Sequence, residues 1–383
     1  MITCLVYLPL SYVGRGPAES CVQIIQQFSE AGINTELFVP RIRKVVAKAV
    51  NVCPTLAWPL RKLPWRWIAD HGRTSMEAKF YQRLKLANPD ETIVYFWPDT
   101  PISLLKKAKE LGFTCVREMI NNPCEAAKTI LDDAYLAQNL PPTHPVTQIK
   151  VQTENDEIEH YDYFFSSNDE VDRALIEKGI APQKILKASF GWDVGRFEGR
   201  APTLPRCDGV RLVFVGSINV RKGIPELLEA WKQSGVRGEL CLAGAIEPCL
   251  QVLLDEHLRY GNVKYLGFVN DVASLYHSCD VFVFPTLEEG GPQVTYEAAG
   301  CGLPVITTPM GAARLVKTGE NGTVVPAGDV NALAEAIRFL GNNPDVRNAY
   351  SKRARNDAVY FEYLNVGKRR AEQLKAAIAL RVR

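Results

Sequence analysis

Residues 282–309 read FVFPTLEEGGPQVTYEAAGCGLPVITTP. The run from Val281 to Pro285 is apolar, with β-branched and aromatic residues, the composition of a strand buried on both faces. A glycine-containing turn bearing Glu288 and Glu289 follows, and a helix is predicted to begin near Pro292 and to carry Glu297 in its second turn. Proline suits the first helical position because the N–H it lacks would have no partner there. The start of such a helix aims unpaired N–H groups and a partial positive charge into the strand–helix crevice, which favours a phosphate. Glu289 and Glu297, with seven residues between them, flank the same crevice, and carboxylates are good acceptors for sugar hydroxyls. A ligand carrying phosphate and many hydroxyls satisfies this pattern, and sugar nucleotides are the obvious class.

On either side of this segment apolar strands alternate with helical patterns, which predicts an α/β fold with parallel sheets. Upstream, strands are expected at 3–7, 35–39, 92–96, 114–117 and 163–166, with helices at 18–31 and 102–111 among the connections. The stretch 195–209, GRFEGRAPTLPRCDG, breaks all periodicity and reads as a linker. Beyond it come strands at 211–215, 239–243, 263–265, 281–284 and 304–307, a helix at 225–234 and a helical run at 369–383. The expected architecture is two doubly wound, Rossmann-like domains facing across a cleft, with ligand at the carboxyl ends of the strands. No repeat of solenoid period is evident.

A chain of 383 residues accommodates two domains of ordinary size. Its apolar content of 46% and charged content of 23% are those of a soluble globular protein. A net charge of +2 gives no electrostatic case for nucleic-acid binding. Ten cysteines show no C-x-x-C pair and no zinc-type Cys/His spacing, so they read as buried, reduced thiols of a cytoplasmic protein. The apolar run Ile2 to Leu8 has no basic region before it and no cleavage site after it, and reads as a first strand rather than a signal peptide. No stretch reaches the roughly 18 apolar residues a spanning helix needs.

The 282–309 segment resembles the donor-site signature of the retaining glycosyltransferases of family four, the group 1 glycosyl transferases. That signature is written E-x7-E and is followed by a small-residue helix and G-L-P-V-I; here Glu289, Glu297 and Ala298 to Ile306 carry it. Residues 212–224, LVFVGSINVRKGI, resemble the family's G-R-L-x-x-x-K-G element in Gly216, Lys222 and Gly223. Ser217 stands at the arginine position, and Arg221 is the neighbouring substitute for the missing cation. Residues 185–197, ILKASFGWDVGRF, resemble the N-G-V-D-x-x-R-F element in Gly191, Asp193, Arg196 and Phe197, with Phe190 and Trp192 replacing Asn and Val. The likeness covers residues 160–340 well and the first 150 in outline.

The resemblance implies the GT-B architecture: an acceptor-side domain over 1–192, a donor domain over 193–361, and a C-terminal helix over 362–383 crossing back to the first domain. It implies a hexosyltransferase-type enzyme that moves a sugar from a nucleotide-diphosphate sugar to the hydroxyl of a glycan or lipid-linked acceptor, with retention of configuration. The setting would be cell-surface polysaccharide or glycolipid synthesis, with no metal and no cofactor beyond the substrate. Glu289 and Lys222 would serve catalysis. Glu297, Gly216, Ser217, Arg221, Gly290, Gly291, Pro292, Gln293 and Val294 would hold the donor, and backbone atoms near Phe268 and Val269 would read the base. Gly14 and Gly16, in the loop after the first strand, would close over the phosphates.

The family's N-terminal-domain histidine has no counterpart, because the strand at 114–117 ends in Glu118-Met119-Ile120-Asn121-Asn122. Glu118 or Asn121 is expected in its place, with Trp97 and Asp99 on the acceptor side, while His71 and His144 read as surface residues. A sugar-nucleotide epimerase or hydrolase of the same fold, or a degenerate binding subunit, would share most of these motifs. A nicotinamide enzyme is disfavoured: Gly14-Arg15-Gly16-Pro17-Ala18-Glu19 stops short of G-x-G-x-x-G.

Between Arg41 and Arg66 stand Arg43, Lys44, Lys48, Arg61 and Lys62 with no acid, and Trp58, Trp65 and Trp67 are interleaved. Bases with interfacial aromatics suit an anionic membrane surface or a lipid-linked acceptor. The alternative is a solvated excursion whose tryptophans pack on the first domain.

Overall fold

In the computed structural model, which describes residues 2–381, the alternating pattern becomes two parallel sheets. The first contains β1 (Thr3–Tyr7), β2 (Asn34–Val39), β3 (Val50–Pro54), β4 (Thr92–Phe96), β5 (Thr114–Met119), β6 (Tyr163–Ser166) and β7 (Ile185–Lys187). Their spatial order is β3-β2-β1-β4-β5-β6-β7. The second contains β8 (Val210–Val215), β9 (Gly238–Ala243), β10 (Val263–Gly267), β11 (Val281–Phe284), β12 (Val305–Thr307) and β13 (Gly322–Val324), in the order β10-β9-β8-β11-β12-β13. Each order reverses at its centre, between β1 and β4 and between β8 and β11, and a ligand crevice opens at the carboxyl ends of the strands there. Every residue of β4, β5 and β11 is buried, as strands covered by helices on both faces must be.

The expected strands are all present, with ends moved by at most two residues. β3, β7 and β13 are additional. β7 and β13 are three residues long, and β3 is an edge strand in which Val50 alone is fully buried, so none of them shows a run or an alternation. The helix expected at 18–31 is a helix over Gly16–Ile25 followed by a separate short turn, Phe28–Ala31, that ends at Gly32. The largest unforeseen element is the helix Trp65–Lys85, which buries Ile68, Gly72, Met76, Phe80 and Leu84, a single stripe four residues apart on an otherwise polar rod.

The last helix begins at Tyr363, ahead of the helical run read from 369 and one residue after the 362 that the resemblance implies, and residues 382 and 383 lie outside the described residues. It lies on the Gly16–Ile25 helix and reaches β4, so the chain returns to the first domain after completing the second. Among the described residues no helix is long and apolar enough to cross a membrane. No disulfide is present among the described residues; five of the ten cysteines are buried, whereas Cys249 is exposed and the rest are half-buried, which narrows the buried-thiol reading to half of them.

Candidate active site

The crevice of the second sheet is built by two loops that lace together. After β8 the chain makes one helical turn, Val220–Lys222, capped by the side chain of Asn219, which accepts from the Lys222 N–H at 3.1 Å. Gly223 ends that turn at φ +67°, and a Cβ there would run into the carbonyl of Pro285 just past β11. This approach lets the Leu287 N–H donate to the Arg221 carbonyl at 2.9 Å. It sets Lys222 against Glu289: the ammonium is ion-paired to that carboxylate and lies 5.2 Å from the centre of the Phe284 ring. Burial and the guanidinium of Arg221 draw the Lys222 ammonium below the ordinary lysine range, and Glu288 opposes them. Arg221 spans Glu288 at 2.7 Å and Glu289 at 3.7 Å.

The helix that follows, Gln293–Gly300, has Pro292 as its cap rather than its first residue, and no side chain caps its first-turn N–H groups. The Thr295 N–H turns back to the Pro292 carbonyl at 3.2 Å, which leaves the Gln293 and Val294 N–H groups for a ligand. Gln293 donates to Ser20 Oγ at 2.7 Å and to the Tyr363 hydroxyl, tying the helix start to the first domain and to the returning helix. Gly290 touches the first domain directly, because a Cβ there would meet the Ile120 carbonyl.

The resulting cleft encloses about 420 Å³. Gly16 and Asn121 line it from the first domain, and Gly216, Arg221, Lys222, Glu289, Gly291, Pro292, Gln293 and Val294 from the second. Pro17, Ser20, Ile120 and Phe190 also line it and were not among the expected site residues. Of these only Phe190, at the position where the resemblance has Asn, carried any signal in the sequence.

Other expected site residues lie elsewhere. Gly14 packs on the stem of Lys44, Ser217 is exposed, Phe268 is 75% exposed beyond β10, and Val269 is half-buried. Glu297 is one turn deeper than the cleft lining, 4.0 Å from Arg196. Burial raises its carboxyl to about 7, against the pull of Arg196. On the acceptor side, Trp97 is fully buried between Tyr95 and Phe190 rather than facing a cavity. Glu118 is fully buried and taken up by Arg370 and Tyr95. Asp99 is exposed at φ +68°, and Asn121 accepts from Arg221 at 3.0 Å. His71 is exposed, but the His144 ring is 5% exposed and bonded to Asp132 at 2.8 Å, not a surface residue. Among the described residues no group of three or more His, Cys, Asp or Glu is placed to hold a metal ion.

The basic segment divides into structural and outward-facing residues. Arg41 is buried, bonded to Ser11 and Leu63 and 5.6 Å from the Trp65 ring, and Arg61 bonds the Leu56 carbonyl. Trp58 and Trp67 are 66% and 67% exposed, beneath Lys62 and Arg66, so these two do not pack on the domain. Lys44 pairs at 3.0 Å with Glu19, on the helix whose Gly16 and Ser20 line the cleft.

Residues 209–343 match the family described as glycosyl transferases group 1. Among characterised proteins the chain is similar to the capsular polysaccharide biosynthesis glycosyltransferase CapM of Staphylococcus aureus, 36% identical over 147 residues, 37% of this chain and 39% of that one. It is also similar to the N,N'-diacetylbacillosaminyl-diphospho-undecaprenol alpha-1,3-N-acetylgalactosaminyltransferase of Campylobacter jejuni, 27% identical over 37% of this chain and 38% of that one. The matches thus span about two fifths of the length of these relatives. Among solved structures, sucrose-phosphate synthase from Thermosynechococcus elongatus superimposes with a TM-score of 0.71 at 18% identity, covering 99% of this chain and 100% of that one. Anabaena HepE in complex with UDP superimposes with 0.66 at 17% identity, covering 98% and 100%. At such identities the likeness establishes the fold alone: two facing Rossmann-like domains of the GT-B kind.

Proposed function

We propose that this protein transfers a sugar from a nucleotide-diphosphate sugar to the hydroxyl of a glycan or lipid-linked acceptor, with retention of configuration and without a metal. The observation that carries the reading is the pairing, across one cleft, of the largely buried Lys222 with a helix start whose N–H groups no side chain caps. Both favour an anion, and Glu289 between them accepts hydroxyls. Lys222, Arg221 and the helix start hold the diphosphate and stabilise the charge that builds on it as it leaves, as pre-placed donors do. Glu289 holds the transferred sugar and Glu297 the ribose, while backbone near Phe268 and Val269 reads the base. The acceptor hydroxyl enters on the face the diphosphate leaves, and its proton passes to the departing phosphate oxygen.

The match of residues 209–343 to group 1 glycosyl transferases and the likeness to enzymes named for capsule and lipid-linked glycan synthesis support cell-surface polysaccharide or glycolipid assembly as the setting. The exposed Trp58 and Trp67 under cations support an anionic membrane surface as the place of work.

Thermal unfolding with UDP, GDP, ADP or CMP and their common sugar conjugates, in the presence of EDTA, tests the donor site. A ligand at about a hundredfold excess over its Kd adds about 2.7 kcal/mol of stability. One nucleotide family should raise the melting temperature, and Glu297→Ala should abolish the rise. No rise with any of them refutes the donor reading; nucleotide release without a glycosylated product would make the protein a hydrolase.

A further inference from the structure

Ala313 and Arg314 stand side by side in the left-handed region, at φ +54° and +58°. Neither is glycine, so this backbone is strained and persists only where its surroundings fix it. The turn that holds them follows β12 and is anchored on two sides. On one side it carries the helix Gln293–Gly300. The Thr295 hydroxyl donates to the Gly311 carbonyl at 2.9 Å, and the Tyr296 hydroxyl donates to the Ala313 carbonyl at 2.9 Å. Thr295, Tyr296 and Ala313 are fully buried, so no water stands ready to replace either bond.

On the other side the turn grips the first domain. Arg314 donates from Nε to the Ala188 carbonyl at 3.0 Å and from one terminal nitrogen to Asp169. Its other terminal nitrogen donates to the Ser166 carbonyl at 3.3 Å and to Asp172 at 2.8 Å. These acceptors lie at the end of β6, just past β7 and in the first turn of the helix Asp169–Glu177, so a single rigid guanidinium fork is fixed from three directions. Asn168 adds a bond to the Met310 carbonyl. None of these residues lines the donor cleft, yet Gln293 and Val294, next to Thr295 in the chain, do.

We propose that Arg314 is a positioning residue for the donor site, acting on the nucleotide through the turn and the helix rather than by contact. The proposal rests on the donor reading above. Held by the first domain, Arg314 keeps the turn in its strained shape. The carbonyls of Gly311 and Ala313 then fix Thr295 and Tyr296, which sit between the Gln293 and Val294 N–H groups and Glu297 on the same helix. Without the grip the turn relaxes toward ordinary backbone, those carbonyls shift, and the helix start loses its alignment with Lys222 and Glu289. Nucleotide affinity is thereby tied to the docking of one domain on the other.

The test is titration calorimetry with whichever nucleotide raises the melting temperature of the wild type most. Arg314→Met should weaken its Kd roughly tenfold, a usual size for coupling between separate sites. Tyr296→Phe should weaken it in the same way, and the double substitution should be no worse than the weaker single one, because both cut the same path. Asp169, whose side chain is 66% exposed, gives a second route that leaves the other domain untouched. Asp169→Ala should show a smaller loss in the same direction, and it decides the matter if Arg314→Met does not fold. A wild-type Kd in Arg314→Met and Asp169→Ala, with only the melting temperature lowered, overturns the proposal and makes Arg314 a staple between domains. Losses that multiply in the double substitution overturn it as well. A wild type that binds none of the nucleotides refutes the donor reading itself, and this proposal with it.

Discussion

Glu297 shows how one side chain carries conflicting demands. A carboxylate is the better acceptor for ribose hydroxyls when ionised, yet burial lifts this one to about 7 and only Arg196, at 4.0 Å, pulls it down. An ordinary glutamate in the unfolded chain titrates near 4.3. Between those two values the folded protein holds a proton that the unfolded chain has released. Stability from this group is therefore fully present at the acid side of the window and is lost as the pH rises through about 7. Without nucleotide, the denaturation midpoint of the wild type should fall between pH 5.5 and pH 8 relative to Glu297→Gln, which lacks the titration. Parallel pH profiles for the two proteins would show that Glu297 is an ordinary surface-like carboxyl.

At the scale of elements, the sequence is legible where a segment's own pattern decides its structure. β8, β9 and β11 are apolar runs bounded by glycine or loop residues, and the 282–309 stretch announces strand, turn and helix in order. Lys222 and Glu289 could be read for the same reason: each lies at a strand's carboxyl end, and the topology of parallel sheets brings such ends to one crevice. Ser20 and Ile120 could not, because they reach the cleft by docking one domain on the other, which no local periodicity records. Trp97 and Glu118 were placed at the right strand ends but face inward; the partner of Glu118 is 252 residues away. Gly290 is the same kind of residue. Its backbone does not need the left-handed region, so alanine is conformationally acceptable, and only the Ile120 carbonyl of the other domain forbids a Cβ. Gly290→Ala should therefore be relieved by parting the domains. Small-angle scattering should show a larger radius of gyration with the melting temperature little changed. An unchanged radius with a lowered melting temperature would mean that the clash is absorbed inside a domain.

At the scale of the whole molecule, a fully buried charge pair near the centre of the first sheet ties the returning helix to the first domain. Arg370, on the returning helix, and Glu118, at the end of β5, are 1% and 0% exposed and approach to 2.5 Å. Arg370 also donates to the Ser189 carbonyl at 2.8 Å and to Ser167 Oγ at 3.1 Å, and lies 4.7 Å from the Phe165 ring. One guanidinium thus fastens the last helix, the chain leaving the first sheet, and the strand end from which the Ile120–Asn122 wall of the cleft springs. Taking two charges out of water makes such a pair a poor source of net stability, but removing one partner strands the other. Arg370→Met should cost about 3–5 kcal/mol in urea unfolding because Glu118 is left buried and uncompensated. Arg370→Met combined with Glu118→Gln should recover much of that loss, since a neutral amide suffers less from burial and can still bond Tyr95. If the double substitution is as unstable as the single one, the loss comes from the packing and hydrogen bonds of Arg370 rather than from the stranded charge. The returning helix would then be held by fit, with the ion pair incidental to how the two domains are fixed around the cleft.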